Sequence, residues 1–228
     1  LHRLGAATGP RLNLKRVGGR SPLDQAELAG LRTATGGRKV VLAASTHPGE
    51  DELILDAYGR AASGLPCLLV LAPRHPDRGR AVADLARARG FSTAQRSVGG
   101  PLTSDTTVYV ADTLGEMGLF YGLAEVVVMG GGFAPGVGGH NPLEPARFGK
   151  PILTGPQVFN AAELYADLFS RVGAICCQDT DALARHLGGL LRNRMISRRI
   201  GAAALDYAEA QGAALDQALA LLSPLLPR

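Results

Sequence analysis

The stretch KVVLAASTHPGEDELILDAYGRAASGLPCLLVLA, residues 39–72, decides the fold. Residues 39–45 are apolar at nearly every position, the mark of a strand buried on both faces of a sheet. Glu50, Asp51 and Glu52 follow. Acids in that order suit the positive end of a helix dipole and predict a helix over 49–63. A second apolar strand occupies 66–72. Strand, helix and strand in immediate succession form a parallel βαβ unit.

Downstream the alternation continues. Helices are expected over 77–90, 114–122, 142–148 and 160–171, the first closed by Gly90. Strands are expected over 91–96, 107–111, 124–129, 151–154 and 174–177. Apolar strands alternating with amphipathic helices define an α/β fold, a Rossmann-like doubly wound parallel sheet with helices on both faces. From 181 the pattern is helical, with three packing helices expected over 181–195, 197–210 and 211–225. Upstream, residues 1–38 read as an entry segment rich in Gly, Arg and Ser. A helix over 23–31 is expected there, with Ser21 as its cap and Pro22 opening it. The reading divides the chain into this entry segment, a Rossmann-like unit over 39–180 and carboxyl-terminal helices over 181–228.

Composition narrows the class. The chain has 228 residues and a formal net charge of +4. That small excess suits an ordinary solvated surface, or affinity for phosphates or an anionic membrane face. The apolar run 65–72 is interrupted by Pro66 and is too short to span a bilayer. The opening residues lack a secretory signal, and a first residue of Leu rather than Met points to a longer or processed protein. Cys67, Cys176 and Cys177 lack the spacing of a zinc or redox motif and read as small apolar side chains.

Ligands of doubly wound sheets bind beyond the carboxyl ends of the strands. After the first strand come Ser45 and Thr46, whose hydroxyls either meet a ligand or cap the next helix. After the second come Pro73, Arg74, His75 and Arg78. Arg74 either forks onto a phosphate or pairs with a helix acid. After the fourth, Asp112 or Thr113 is placed to cap a helix whose first-turn amides, at Gly115, Glu116 and Met117, favour an anion. After the fifth comes GGGFAPGVGGHNPLEP, residues 130–145. Its glycines allow amides to close on a phosphate, Asn141 caps the following helix, and Pro142 opens it. Glu144 either accepts from ribose hydroxyls or reaches back to Asn141 as a capping box. Asn160 and Glu163 have capping-box spacing after the sixth strand. The glycines match neither a Walker loop nor the dinucleotide fingerprint, and no carboxylate cluster reads as a metal site.

Several of these stretches occur together, in this order, in one family. STHPGE (45–50), PRHP (73–76), GEM (115–117), GGHNPLEPA (138–146) and GPQVFN (155–160) resemble the 3-deoxy-manno-octulosonic acid (Kdo) transferases, and Asn13-Leu14-Lys15 resembles the segment joining that family's two halves. The resemblance implies the carboxyl-terminal half of a GT-B glycosyltransferase, transferring Kdo from CMP-Kdo to the lipid A precursor lipid IVA. It implies CMP contacts from Pro73, Arg74, Gly115, Glu116, Met117, Asn141, Pro142, Leu143 and Glu144, and transition-state stabilisation by Lys15. The acceptor site and catalytic base would belong to an amino-terminal domain, and the enzyme would sit on the cytoplasmic face of the inner membrane. Neither cofactor nor nucleic-acid partner is expected. Two features depart from the family: Val137 stands where a basic or polar residue is common, in a slightly longer glycine loop, and Arg16-Val17 replaces Phe-Asp. The competing readings are a UDP-sugar glycosyltransferase or epimerase of the same architecture, and a non-catalytic nucleotide-binding module.

Overall fold

The computed structural model describes residues 19–222, with side chains described as far as residue 212. Seven parallel strands form one sheet in the order β3-β4-β2-β1-β5-β6-β7. They are β1 (Lys39–Thr46), β2 (Cys67–Pro73), β3 (Thr93–Gln95), β4 (Val108–Val110), β5 (Val126–Met129), β6 (Ile152–Thr154) and β7 (Ala174–Cys176). The chain leaves β1 toward β2 on one side, and β5 returns on the other side of β1. The carboxyl ends of β1 and β5 therefore flank the switch point, where doubly wound sheets bind ligands.

Alternate strand residues enter opposite faces, as a period of two requires. Val41, Ala43, Leu69, Leu71, Val126 and Val128 pack with helices α2 (Glu50–Ala61), α3 (Gly79–Ala88) and α7 (Thr180–Arg192). Val40, Leu42, Leu68, Val70, Val127 and Met129 pack on the other face with α1 (Gln25–Thr35), α4 (Met117–Leu123), α5 (Leu143–Ala146), α6 (Ala162–Ser170) and α8 (Arg194–Leu222). Among the described residues, no helix is long and apolar enough to cross a membrane.

Local expectations shift where a different group supplies the cap or the break. Helix α1 is capped by Asp24, not Ser21: its carboxylate accepts from the amides of Ala26 and Glu27, at 2.8 and 3.0 Å. The helix runs on to Thr35 and stops at Gly36 in the left-handed region. The three expected carboxyl-terminal helices are two. Asn193 leaves helical geometry, and its side chain accepts from the Ile196 amide at 3.1 Å. The expected break at Met195–Ser197 is absent because the Ser197 amide donates to the Asn193 carbonyl inside α8. No break occurs at 210–211 either, because α8 continues to Leu222.

Helix α8 comes close to the segment after α5. A Cβ at Gly201 would stand 2.2 Å from the Gly149 carbonyl oxygen, so two stretches of backbone touch there with no room for a side chain. Gly201→Ala is expected to lower stability by about 1–3 kcal/mol, the usual cost of overpacking. Chemical denaturation of the variant checks this; an unchanged midpoint would mean that α8 is free to shift.

Candidate functional site

The site is built at the end of β1. The ladder with β2 slips between Ala44 and Thr46, and Ser45 takes a left-handed conformation at φ 57°. Such a bulge bends a strand and re-aims the residues after it. Thr46 is fully buried, and its hydroxyl donates to Asp51 at 2.5 Å. Its carbonyl accepts from the Arg74 amide at 2.9 Å and from the Arg78 guanidinium at 3.0 Å. Arg78 also forms an ion pair with Asp51. Burial pushes the Asp51 carboxyl up, and the bonds from Thr46 and Arg78 oppose that shift.

These contacts settle the choices left open by the sequence. Thr46 does not cap α2, whose amino-terminal residue Gly49 offers no side-chain bond. The helix acid at the rim is paired by Arg78, not Arg74. The Arg74 side chain is exposed, and its guanidinium makes no hydrogen bond or ion pair among the described residues. It is a cation available to a ligand.

The glycine loop after β5 is held from below. The Glu50 carboxylate is 1% exposed and accepts four backbone amides: His47 at 2.9 Å, Gly131 at 2.7 Å, Phe133 at 2.9 Å and Ala134 at 3.2 Å. The expectation that amides at this part of the loop close on a phosphate is therefore corrected, since an internal carboxylate already occupies them. Further bonds fix the rest of the loop. Gly139 donates to the Gly131 carbonyl at 2.9 Å. The Asn160 side chain donates to the Val137 carbonyl at 2.5 Å, and Tyr165 to the His140 carbonyl at 3.1 Å. Asn160 thus steadies the loop and does not cap α6, which has no side-chain cap.

Two histidines join this loop to the β1 turn. The rings of His47 and His140 stack with centroids 5.1 Å apart and share a proton between Nε2 atoms 2.8 Å apart. His75 stands edge-on to His47 at 6.3 Å. Burial lowers the His140 pKa to about 4, with His47 and Arg74 adding to the shift. Burial also lowers His47, against the attraction of Glu50. Both rings are therefore neutral near pH 7.

Helices α4 and α5 complete the rim. The Asn141 side chain accepts from the Leu143 amide at 3.1 Å, in the capping manner expected, although α5 is a single turn that ends at Ala146. Glu144 does not reach back to Asn141 as a capping box, because its carboxylate accepts from the buried Tyr121 hydroxyl at 3.2 Å across to α4. Helix α4 starts at Met117, three residues later than expected, and neither Asp112 nor Thr113 caps it. Asp112 instead accepts from Gln95 and Ser97, at 2.7 and 2.6 Å. Thr113 donates to Glu116, whose carboxylate is forked by Arg96 and held at a lowered pKa by it. The Glu116 side chain is therefore committed to Arg96, while Gly115, at φ 83°, is exposed beside it.

Pro73, Arg74, Gly115, Glu116, Met117, Asn141, Pro142, Leu143 and Glu144 thus all lie at or beyond the carboxyl ends of β2, β4 and β5. Tyr121 links the α4 and α5 groups, and the His47–His140 pair links the β1 turn beside Arg74 to Asn141. Lys15 lies outside the described residues. Sequence reasoning missed the anchoring roles of Glu50, Asp51, His47, His140 and Tyr121. No spacing rule reports that an acid at a helix start turns under a loop some 80 residues away in the chain. No group of side chains suited to a metal ion occurs among the described residues.

The histidine pair generates a pH dependence. Between about pH 6.5 and about pH 4 the unfolded chain binds protons that native His140 refuses, so stability falls as pH falls through that window. Thermal denaturation from pH 7 to pH 4 is expected to show a shallower decline in His140→Asn than in the unaltered chain. Parallel curves would remove the histidine pair as a cause.

Known proteins resemble this chain in sequence and in fold. No family model matches the chain. It is 38% identical over 193 residues to the 3-deoxy-D-manno-octulosonic acid transferase of Haemophilus influenzae, covering 84% of this chain and 45% of that protein. It is 32% identical over 218 residues to the enzyme of the same name from Rickettsia felis, covering 94% of this chain and 46% of that protein. The chain spans about half the length of the curated relatives it matches. Among solved structures, the C-terminal CMP-Kdo binding domain of WaaA from Acinetobacter baumannii superposes with a TM-score of 0.75 at 29% identity, covering 80% of this chain and 96% of that one. Anabaena Alr3699/HepE, solved with UDP and glucose, shares the fold alone, with a TM-score of 0.56 at 17% identity over 89% of this chain and 53% of that one. The chain is thus similar over most of its length to one half of the 3-deoxy-D-manno-octulosonic acid transferases, and it has the fold of a carboxyl-terminal GT-B glycosyltransferase domain.

Proposed function

We propose that this chain is the donor-binding half of a Kdo transferase and holds CMP-Kdo across the carboxyl edge of its sheet. The observation that carries this reading is the superposition on a CMP-Kdo binding domain, with the candidate residues following the strand ends. Arg74, exposed and without a partner among the described residues, follows β2, an exposed Gly115 turn follows β4, and Glu144 follows β5, in a domain that superposes on a CMP-Kdo binding domain. Residues 39–180 would form the nucleotide-sugar unit, with 1–38 joining it to the acceptor half and 181–228 packing on it.

The reaction is displacement at the anomeric carbon of Kdo by a hydroxyl of the lipid A precursor lipid IVA. The phosphate of the departing CMP gains charge as the bond breaks. Arg74, the amides of Gly115, Glu116 and Met117, and the residues Pro73, Asn141, Pro142 and Leu143 at the rim are the groups that would meet the nucleotide. Those aimed at the phosphate accelerate the step only insofar as they hold it more strongly in the transition state. Glu144, steadied by Tyr121, would accept from the ribose hydroxyls. A base outside this half would take the acceptor proton, Lys15 would stabilise the developing charge, and the enzyme would work at the cytoplasmic face of the inner membrane.

Calorimetry with CMP and UMP tests the nucleotide. CMP is expected to bind more tightly, and a preference for UMP would favour the UDP-sugar reading. Glu144→Ala is expected to weaken CMP binding by about tenfold, the worth of one good hydrogen bond to a charged group. Unchanged affinity would leave Glu144 as a partner of Tyr121 alone.

A further inference from the structure

The polar groups at the crevice divide into those already neutralised and those still available. Two arginines reach the rim, but Asp51 takes Arg78. The loop after β5 directs three amides to one point, but the Glu50 carboxylate sits there and accepts all of them. Among the described residues at this rim, that leaves one unpaired guanidinium, Arg74. His47 and His140 bond to each other. His47 stands between Glu50 and this cation: the Glu50 carboxylate holds the His47 amide, and the His47 ring is in electrostatic reach of both Glu50 and Arg74.

We infer that Glu50 is a specificity-determining residue, a resident anion that fills the amide cradle of the glycine loop and so restricts the crevice to nucleoside monophosphates over diphosphates. The inference rests on the donor-binding reading above and deepens it. A first phosphate meets Arg74. A second phosphate, reaching toward the loop, meets no free amide. It meets the negative charge of a buried carboxylate instead, in surroundings where screening by water is weak. Rejecting the wrong ligand through an unpaired like charge is a common route to selectivity. Asp51 acts in the same direction, since it withholds Arg78 from a second phosphate.

The test is calorimetry of this chain with CMP and CDP. The unaltered chain is expected to bind CMP at least about tenfold more tightly than CDP. Glu50→Gln keeps the side-chain shape, and its carbonyl can still accept from Phe133 and Ala134, but it removes the charge. The CMP-to-CDP affinity ratio is expected to shrink by about fivefold or more in that variant. Asp51→Asn, which releases Arg78, is expected to move the ratio the same way. A purely structural role for Glu50 would weaken both ligands together and leave the ratio unchanged, and that result overturns the inference. Equal or tighter binding of CDP by the unaltered chain overturns it without any variant, should Glu50→Gln not fold. Binding of neither nucleotide rejects the donor-binding reading itself, a failure distinct from an unaltered ratio.

Discussion

The arrangement of this crevice depends on one buried carboxylate. Glu50 collects amides from its own turn and from a loop beyond β5, and thereby joins the two segments that flank the switch point of the sheet. A buried charge is tolerated only when its lone pairs are filled, and here four donors fill them. The loop in turn places His140 and Asn141, and through them the start of α5. Without the carboxylate, the three amides of the loop would lose their acceptor, each at a cost of about 1–3 kcal/mol where it is buried. The loop is therefore shaped by the protein's own interior before any nucleotide arrives.

A second tier of contacts carries that order outward. Tyr165 fixes the His140 carbonyl from α6, Asn160 fixes Val137, and Tyr121 reaches from α4 to Glu144. Each is a side-chain bond between elements far apart in the chain. Together they hold the short helices α4 and α5 in place, although neither has a side-chain cap on its assigned first residue.

The fold was legible because its cause is local. Apolar runs at 39–45 and 66–72 and the helix between them require a parallel unit; the observed α2 lies within its expected limits, and β1 and β2 each run one residue past theirs. The rim positions were legible for the same reason, since they follow the strands directly. What the sequence hid was partnership. Glu50 read as an acid at a helix start, which it also is, and Arg74 and Arg78 were indistinguishable as rim cations until one of them met Asp51. The length of α8 was hidden too: alanine-rich sequence gives no periodic cue to distinguish one long helix from two shorter ones, and the break fell on Asn193, whose side chain satisfies the next turn.

The bulge at Ser45 has an evolutionary consequence. It inserts a single residue between a regular ladder and the turn that carries Thr46, His47, Glu50 and Asp51. Side-chain replacements along that turn would alter one contact at a time. A deletion of one residue would restore the pleat but remove the bend that re-aims the residues after it, pulling the turn away from its partners. Chain length between β1 and α2 is thus under tighter constraint than most identities within it, and descendants of this domain can drift in composition there far more readily than in spacing.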